Sequence, residues 1–190
     1  MPEAVLAPSA RPFPDDDRYP SGWFTWEECD LLAEWARDKL ILELGVYLGR
    51  STVAMARTAK HVVSVDHFQG SPLENWYKPE DSLIRCRENL LRYGVSRRVT
   101  LMVADFSDLH AFGLFGHREF DGVLVDGAHD LASVVRDSEI AMRATALRNI
   151  VWDDYNRWWP DVMAYVNGLA QVAPFRVTHL APGSRQVRLA

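Results

Sequence analysis

What most restricts the fold of this chain is the alternation of short apolar runs with segments of helical periodicity. Leu40–Leu44, Val62–Val65, Val99–Val103, Gly122–Val125 and Ile150–Trp152 are short, mainly apolar runs that read as strands of a sheet covered on both faces. Between them lie helical stretches. Thr25 with Glu28 forms a capping box that opens a helix running to about Asp38, with Leu31, Leu32 and Trp35 on its apolar side. Ser51–Ala59 and Asp81–Tyr93 follow, the latter with Leu83, Ile84, Leu90 and Leu91 as its apolar residues and Gly94 as its stop. Leu131, Val134, Val135, Ser138, Ala141 and Met142 mark one helix face. Val162, Met163, Val166, Leu169 and Ala170 mark another, with Pro160 and Asp161 suited to its first turn. Strand–helix alternation of this kind implies right-handed crossovers and a parallel sheet with helices on both sides.

The two ends depart from the pattern. Phe175–Leu180 and Arg185–Leu189, joined by Ala181-Pro182-Gly183-Ser184, read as an antiparallel hairpin. Residues 1–24 carry five prolines and the acidic run Asp15–Asp17, so neither a helix nor an inner strand can form there. We expect an extended arm over 1–24, separable over its first twenty residues, and one α/β domain over 25–190. The 190 residues suffice for one well-cored domain and not for two. A net charge of −5 argues against a nucleic-acid partner, which would demand a basic face. Cys29 and Cys86 fit no paired motif and read as buried thiols in a reducing compartment. With no signal segment and no apolar run long enough to span a bilayer, a cytoplasmic protein is expected. Seven tryptophans, several outside the core elements, could line a pocket or a homo-oligomer interface.

The first strand ends Glu43-Leu44-Gly45-Val46-Tyr47-Leu48-Gly49-Arg50-Ser51. In an open parallel sheet ligands sit at the carboxyl ends of strands, where strand order reverses. Gly45 permits the sharp turn, Gly49 a close backbone approach, and the following helix turns free N–H groups toward an anionic ligand. Asp66 closes the second strand, placed to accept hydrogen bonds from ribose hydroxyls, a device that nicotinamide cofactors share. Three features favour S-adenosylmethionine: the spacing is not Gly-x-Gly-x-x-Gly, Glu43 beside the loop suits an ammonium and a sulfonium, and Asp105 can reach an adenine amino group. Together with Val-Ala-Asp105 and the closing hairpin, this loop resembles class I S-adenosylmethionine-dependent methyltransferases, a Rossmann-like doubly wound fold.

A second group of residues lies one crevice away. The fourth strand ends Asp126-Gly127-Ala128-His129 and the fifth Asp153-Asp154-Tyr155. Three converging carboxylates are costly unless protonated, hydrogen-bonded or bound to a cation. Hard oxygen donors suit Mg²⁺ or another divalent cation. Asp-Gly-x-His followed by Asp-Asp-Tyr resembles metal-dependent small-molecule O-methyltransferases, among them those acting on macrolide sugars, relatives of the cephalosporin-pathway protein labelled a hydroxylase, and catechol O-methyltransferase. That resemblance implies Asp126, Asp153 and Asp154 as metal ligands and His129 as general base; His129 could equally orient a carboxylate. It implies methylation of a small-molecule hydroxyl. Two segments could close over such a site, His67–Glu80 with Trp76 and Tyr77, and Tyr155–Trp159, whose aromatic residues could equally pack the rim. The rival readings are a metal-independent enzyme acting on nitrogen or nucleic acid, and a protein that binds the donor without turnover.

Overall fold

The computed structural model describes residues 12–70, 81–113, 115, 119–172 and 176–189. In chain order its elements are α1 (Trp26–Ala36), β1 (Leu40–Leu44), α2 (Arg50–Ala56), β2 (His61–Asp66), α3 (Ser82–Arg92), β3 (Val99–Val103) and α4 (Phe106–Phe112). They continue with β4 (Gly122–Val125), α5 (Leu131–Ala144), β5 (Ile150–Trp152), α6 (Pro160–Val172), β6 (Val177–His179) and β7 (Val187–Leu189). All seven strands join one sheet in the order β3-β2-β1-β4-β5-β7-β6. The first five run parallel, and β7 lies antiparallel between β5 and β6. This is the class I methyltransferase topology with its terminal hairpin.

The mainly apolar runs are explained by two cores. Alternate strand residues Ile41, Val62, Leu124 and Val151 pack with Leu32, Trp35, Val53 and Met55 of α1 and α2. Their neighbours Leu42, Leu44, Val65, Val123 and Trp152 pack on the other side with Val134, Ile140 and Val166 of α5 and α6. Strand register then sets the functional edge. Leu44 stands opposite Val65 and Val125, and Val125 opposite Trp152. Gly45, Asp66, Asp126 and Asp153 therefore leave the sheet along one edge, with the order reversing between β1 and β4.

Two helices differ from expectation. α3 buries Ser82, Cys86, Asn89 and Leu90, while Ile84 and Leu91 are 56% and 68% exposed. Its inward stripe is half polar, so counting apolar residues misplaced its face. α4 was not anticipated: it is one short segment with the Asp105 side chain as N-cap and Gly113, at φ 62°, as C-cap.

The described part of the arm is packed, not loose. Phe13 and Gly22 exchange backbone hydrogen bonds of 2.7 and 3.1 Å. Asp16 accepts from the Arg18 and Tyr19 amides and from Trp26 Nε1. Tyr19 is 1% exposed and its hydroxyl donates to Asp30. The buried Arg50 guanidinium donates to the carbonyls of Phe24 and Pro20, both at 2.6 Å. Deleting residues 1–20 therefore strips a core aromatic and orphans part of a buried cation, each costing a few kcal/mol. We expect the melting temperature to fall by roughly 10 °C; calorimetry giving an unchanged transition would show the arm to be separable. Among the described residues no helix is long and apolar enough to cross a membrane.

Candidate functional site

The β1–α2 loop is held by its own residues from several sides. Gly45 has φ 99°, and a Cβ there would lie 1.9 Å from the Asp126 carbonyl oxygen. The loop thus crosses directly over the end of β4, which only glycine allows. Gly49 is the left-handed N-cap of α2 at φ 84°, and a Cβ there would meet Cys86 Sγ at 3.2 Å. Its observed neighbour is therefore α3, and helix packing accounts for the glycine.

Asp66 organises the same loop. Its Oδ2 accepts from the Val46 and Tyr47 amides at 2.9 and 3.0 Å, and its Oδ1 from Phe68 at 2.7 Å. A carboxylate has about four acceptor sites, so one remains for a hydroxyl. Glu43 requires a correction. It is fully buried, and its two oxygens accept from Ser51, Thr52 and Ser64 hydroxyls, each at 2.6 Å. Burial pushes its carboxyl up to about 7. Glu43 and Ser51 are thus bonded to each other beneath the loop, fastening β1 to α2 and β2, and the direct ligand contact expected of Glu43 is not what this geometry offers. Asp105 caps α4, accepting from Ser107 N at 2.7 Å, and that bond holds its carboxyl below the ordinary range.

Beside this loop lies a buried charge cluster. One donor atom each from Asp126, His129 and Asp154 falls within 4.8 Å of the others. His129 Nε2 is 2.9 Å from Asp154 Oδ2, and its ring stacks on Trp159 at 4.1 Å and 19°. Asp154 occupies the left-handed region at φ 55°, a strained position for a residue bearing a side chain. Of the three expected ligands, this trio includes Asp126 and Asp154, with His129 beside them, and Asp153 lies next along the chain. Asp153 Oδ2 lies 3.9 Å from the Arg185 guanidinium, the same group that contacts Asp154.

Arg185 and Glu28 complete the cluster, and neither was anticipated. Arg185 donates to Asp154 Oδ1 at 2.7 Å and to both oxygens of Glu28 at 3.0 and 3.2 Å. A signal existed in the register: Val187 pairs with Trp152, which brings Arg185 across from Asp154. Burial, then the charges of Asp153 and Asp154, raise the Asp126 carboxyl well above its usual range. Burial likewise raises Asp153 to about 7. Burial also opposes ionisation of Asp154, yet the His129 hydrogen bond and the Arg185 charge keep it below the ordinary value. Four carboxylates thus face one guanidinium and one imidazole, and Asp153 Oδ1 is buried with no hydrogen-bond donor among the described residues. Such an oxygen needs a proton or a cation, so the donor set fits a divalent ion of the kind oxygen and imidazole ligands hold.

Of the two segments that could cover the site, residues 71–80 of the first, with Trp76 and Tyr77, lie outside the described residues. In the second, Tyr155 and Trp159 are packed: Tyr155 donates to Asn167 at 2.8 Å, and Trp159 lies on His129. Trp158 is 46% exposed with Arg157 over its ring.

Residues 42–155, more than half of the chain, match the family model described as a methyltransferase domain. No curated protein sequence matches significantly. Among solved structures, a candidate O-methyltransferase from Klebsiella pneumoniae is similar at 20% identity and a TM-score of 0.64, covering 90% of this chain and 82% of its own. An O-methyltransferase from Bacillus cereus, solved with S-adenosylhomocysteine, shares 18% identity with a TM-score of 0.62, covering 87% and 80%. TomG of Streptomyces achromogenes, an O-methyltransferase of tomaymycin synthesis solved with S-adenosylmethionine, also has 18% identity and 0.62, covering 87% and 79%. At these identities the likeness establishes the fold.

Proposed function

Because the chain belongs to the methyltransferase-domain family, we propose that it moves the methyl group of S-adenosylmethionine to a hydroxyl of a small molecule, assisted by a divalent cation. The observation that carries this reading is one contact: the Gly45 turn of the donor loop lies against the backbone of Asp126, the first residue of the charge cluster. A donor held by the loop and an acceptor held by the cluster would be neighbours, which is the requirement of an in-line transfer. The donor supplies an electrophilic methyl, and a cation supplies positive charge for the acceptor oxygen.

The chain's residues have separate tasks in this scheme. Asp66 holds the loop and keeps one acceptor position for a ribose hydroxyl. Asp126 and Asp154 would hold the cation, with Asp153 able to complete the set. Asp154 fixes the His129 ring through Nε2, and the imidazole takes the hydroxyl proton at Nδ1. Trp159 keeps water from one face of that ring, and Trp158 offers apolar surface to an acceptor. The surplus of negative charge in the cluster supports a cation and disfavours a phosphate-rich acceptor.

Manganese titration followed by electron paramagnetic resonance tests the cation. One site per chain is expected, weakened at least ~10-fold in Asp126→Asn, while S-adenosylmethionine affinity is unchanged because the donor rests on β1 and β2. Absence of bound manganese at millimolar concentration would leave a metal-independent methyltransferase.

A further inference from the structure

Arg185 and Glu28 both lie outside residues 42–155, the segment shared with the family. They are brought into the cluster by the terminal hairpin and by α1. The Arg185 side chain is 11% exposed, and it makes four hydrogen bonds among the described residues. One terminal nitrogen donates to Asp154 Oδ1. Nε and the other terminal nitrogen grip the two Glu28 oxygens, and the latter nitrogen also donates to the Trp23 carbonyl at 3.1 Å. A guanidinium is planar, permanently charged and pre-organised for two carboxylates at once. Glu28 cannot swing away, because its carboxylate also accepts from the Thr25 amide in the α1 capping box. Arg185 is thus anchored from behind by Glu28 and aimed at Asp154.

We propose that Arg185 is a built-in counter-cation of the acidic site, a positioning residue that occupies one oxygen of Asp154 and so limits the charge an incoming divalent ion meets. With Oδ1 taken by Arg185 and, at 3.2 Å, by Asn156 Nδ2, Asp154 turns only Oδ2 to His129 and the cation. The same bond holds Asp154 in its strained backbone conformation, and with it the imidazole. The price of this arrangement is weaker cation binding in exchange for a fixed His129. The inference rests on the cation reading above, and manganese separates the two.

Charge and geometry are dissected by two substitutions. Arg185→Gln removes the charge and the shorter of the two hydrogen bonds to Asp154 Oδ1, so manganese should bind ~10-fold or more tightly, as a unit charge a few Å from a divalent ion would dictate even at high dielectric. Arg185→Lys keeps the charge, and its manganese affinity should stay within about threefold of the original by the same argument. A residue serving only the fold would give weaker, never tighter, binding on substitution. Manganese affinity unchanged or reduced in Arg185→Gln would overturn the inference while leaving the cation reading intact. No manganese binding by either protein would instead overturn the cation reading and this inference with it. Loss of a cooperative thermal transition in both variants would assign Arg185 to the fold and also overturn the proposal.

Discussion

Gly45→Ala is expected to abolish donor binding and to cost more than ~4 kcal/mol of stability, placing it among the exceptional single substitutions. Two penalties add. The backbone at φ 99° is one that residues bearing a Cβ rarely adopt, and the new methyl would sit 1.9 Å from the Asp126 carbonyl oxygen and 2.5 Å from its carbon. Neither partner can retreat. Gly45 N donates to Val65 and Asp126 N donates to Leu44, so both backbones are tied into the centre of the sheet. Relief would require parting β1 from β4 at the crevice where donor loop and charge cluster meet. Gly49→Ala provides the contrast, since it shares the positive-φ penalty at φ 84° but the nearest neighbour of its Cβ would be a side chain, Cys86 at 3.2 Å, and not backbone. Urea unfolding should rank the two clearly. Equal, near-original stability in both would show that the loop does not cross β4 as described.

His129→Ala is expected to lower turnover by ~10²–10⁴-fold, the usual contribution of a positioned general base. The imidazole sits 2.9 Å from the ionised Asp154 and is clamped by Trp159, so both its tautomer and its plane are set before an acceptor arrives. S-adenosylmethionine affinity should hold, because the Asp66 loop is built from other residues. A drop of less than about tenfold, measured by single-turnover transfer to an acceptor that the unmodified enzyme methylates, would reduce His129 to a cation ligand or an orienting group.

The sheet was legible because its central strands β1, β4 and β5 are short, mainly apolar runs packed on both sides, whereas the outer β3 leaves Thr100 and Val103 exposed. The edge residues Gly45, Asp66, Asp126 and Asp153 were legible for the same reason, since each directly follows or closes such a run. What could not be read was the direction of side chains once the strands end. Asp153 and Asp154 are indistinguishable in sequence, and only the left-handed backbone at Asp154 decides that it joins Asp126 and His129. Glu43 was placed correctly at its strand, yet three hydroxyls from two other elements had to be known before its role could be seen. Arg185 is 157 residues from Glu28, and nothing local marks it. α3 misled because its buried stripe includes Ser82 and Asn89, the latter donating to the Leu48 carbonyl at 2.9 Å.

Direct titration of S-adenosylmethionine into the purified chain tests the central claim, with thermal unfolding as its companion. One site per chain is expected, with S-adenosylhomocysteine competing for it. Ligand at 100 times its dissociation constant should add ~2.7 kcal/mol of stability, a rise of roughly 5–10 °C in melting temperature. NAD should produce neither heat nor shift. No heat and no shift with S-adenosylmethionine, or binding of NAD in its place, would contradict the account.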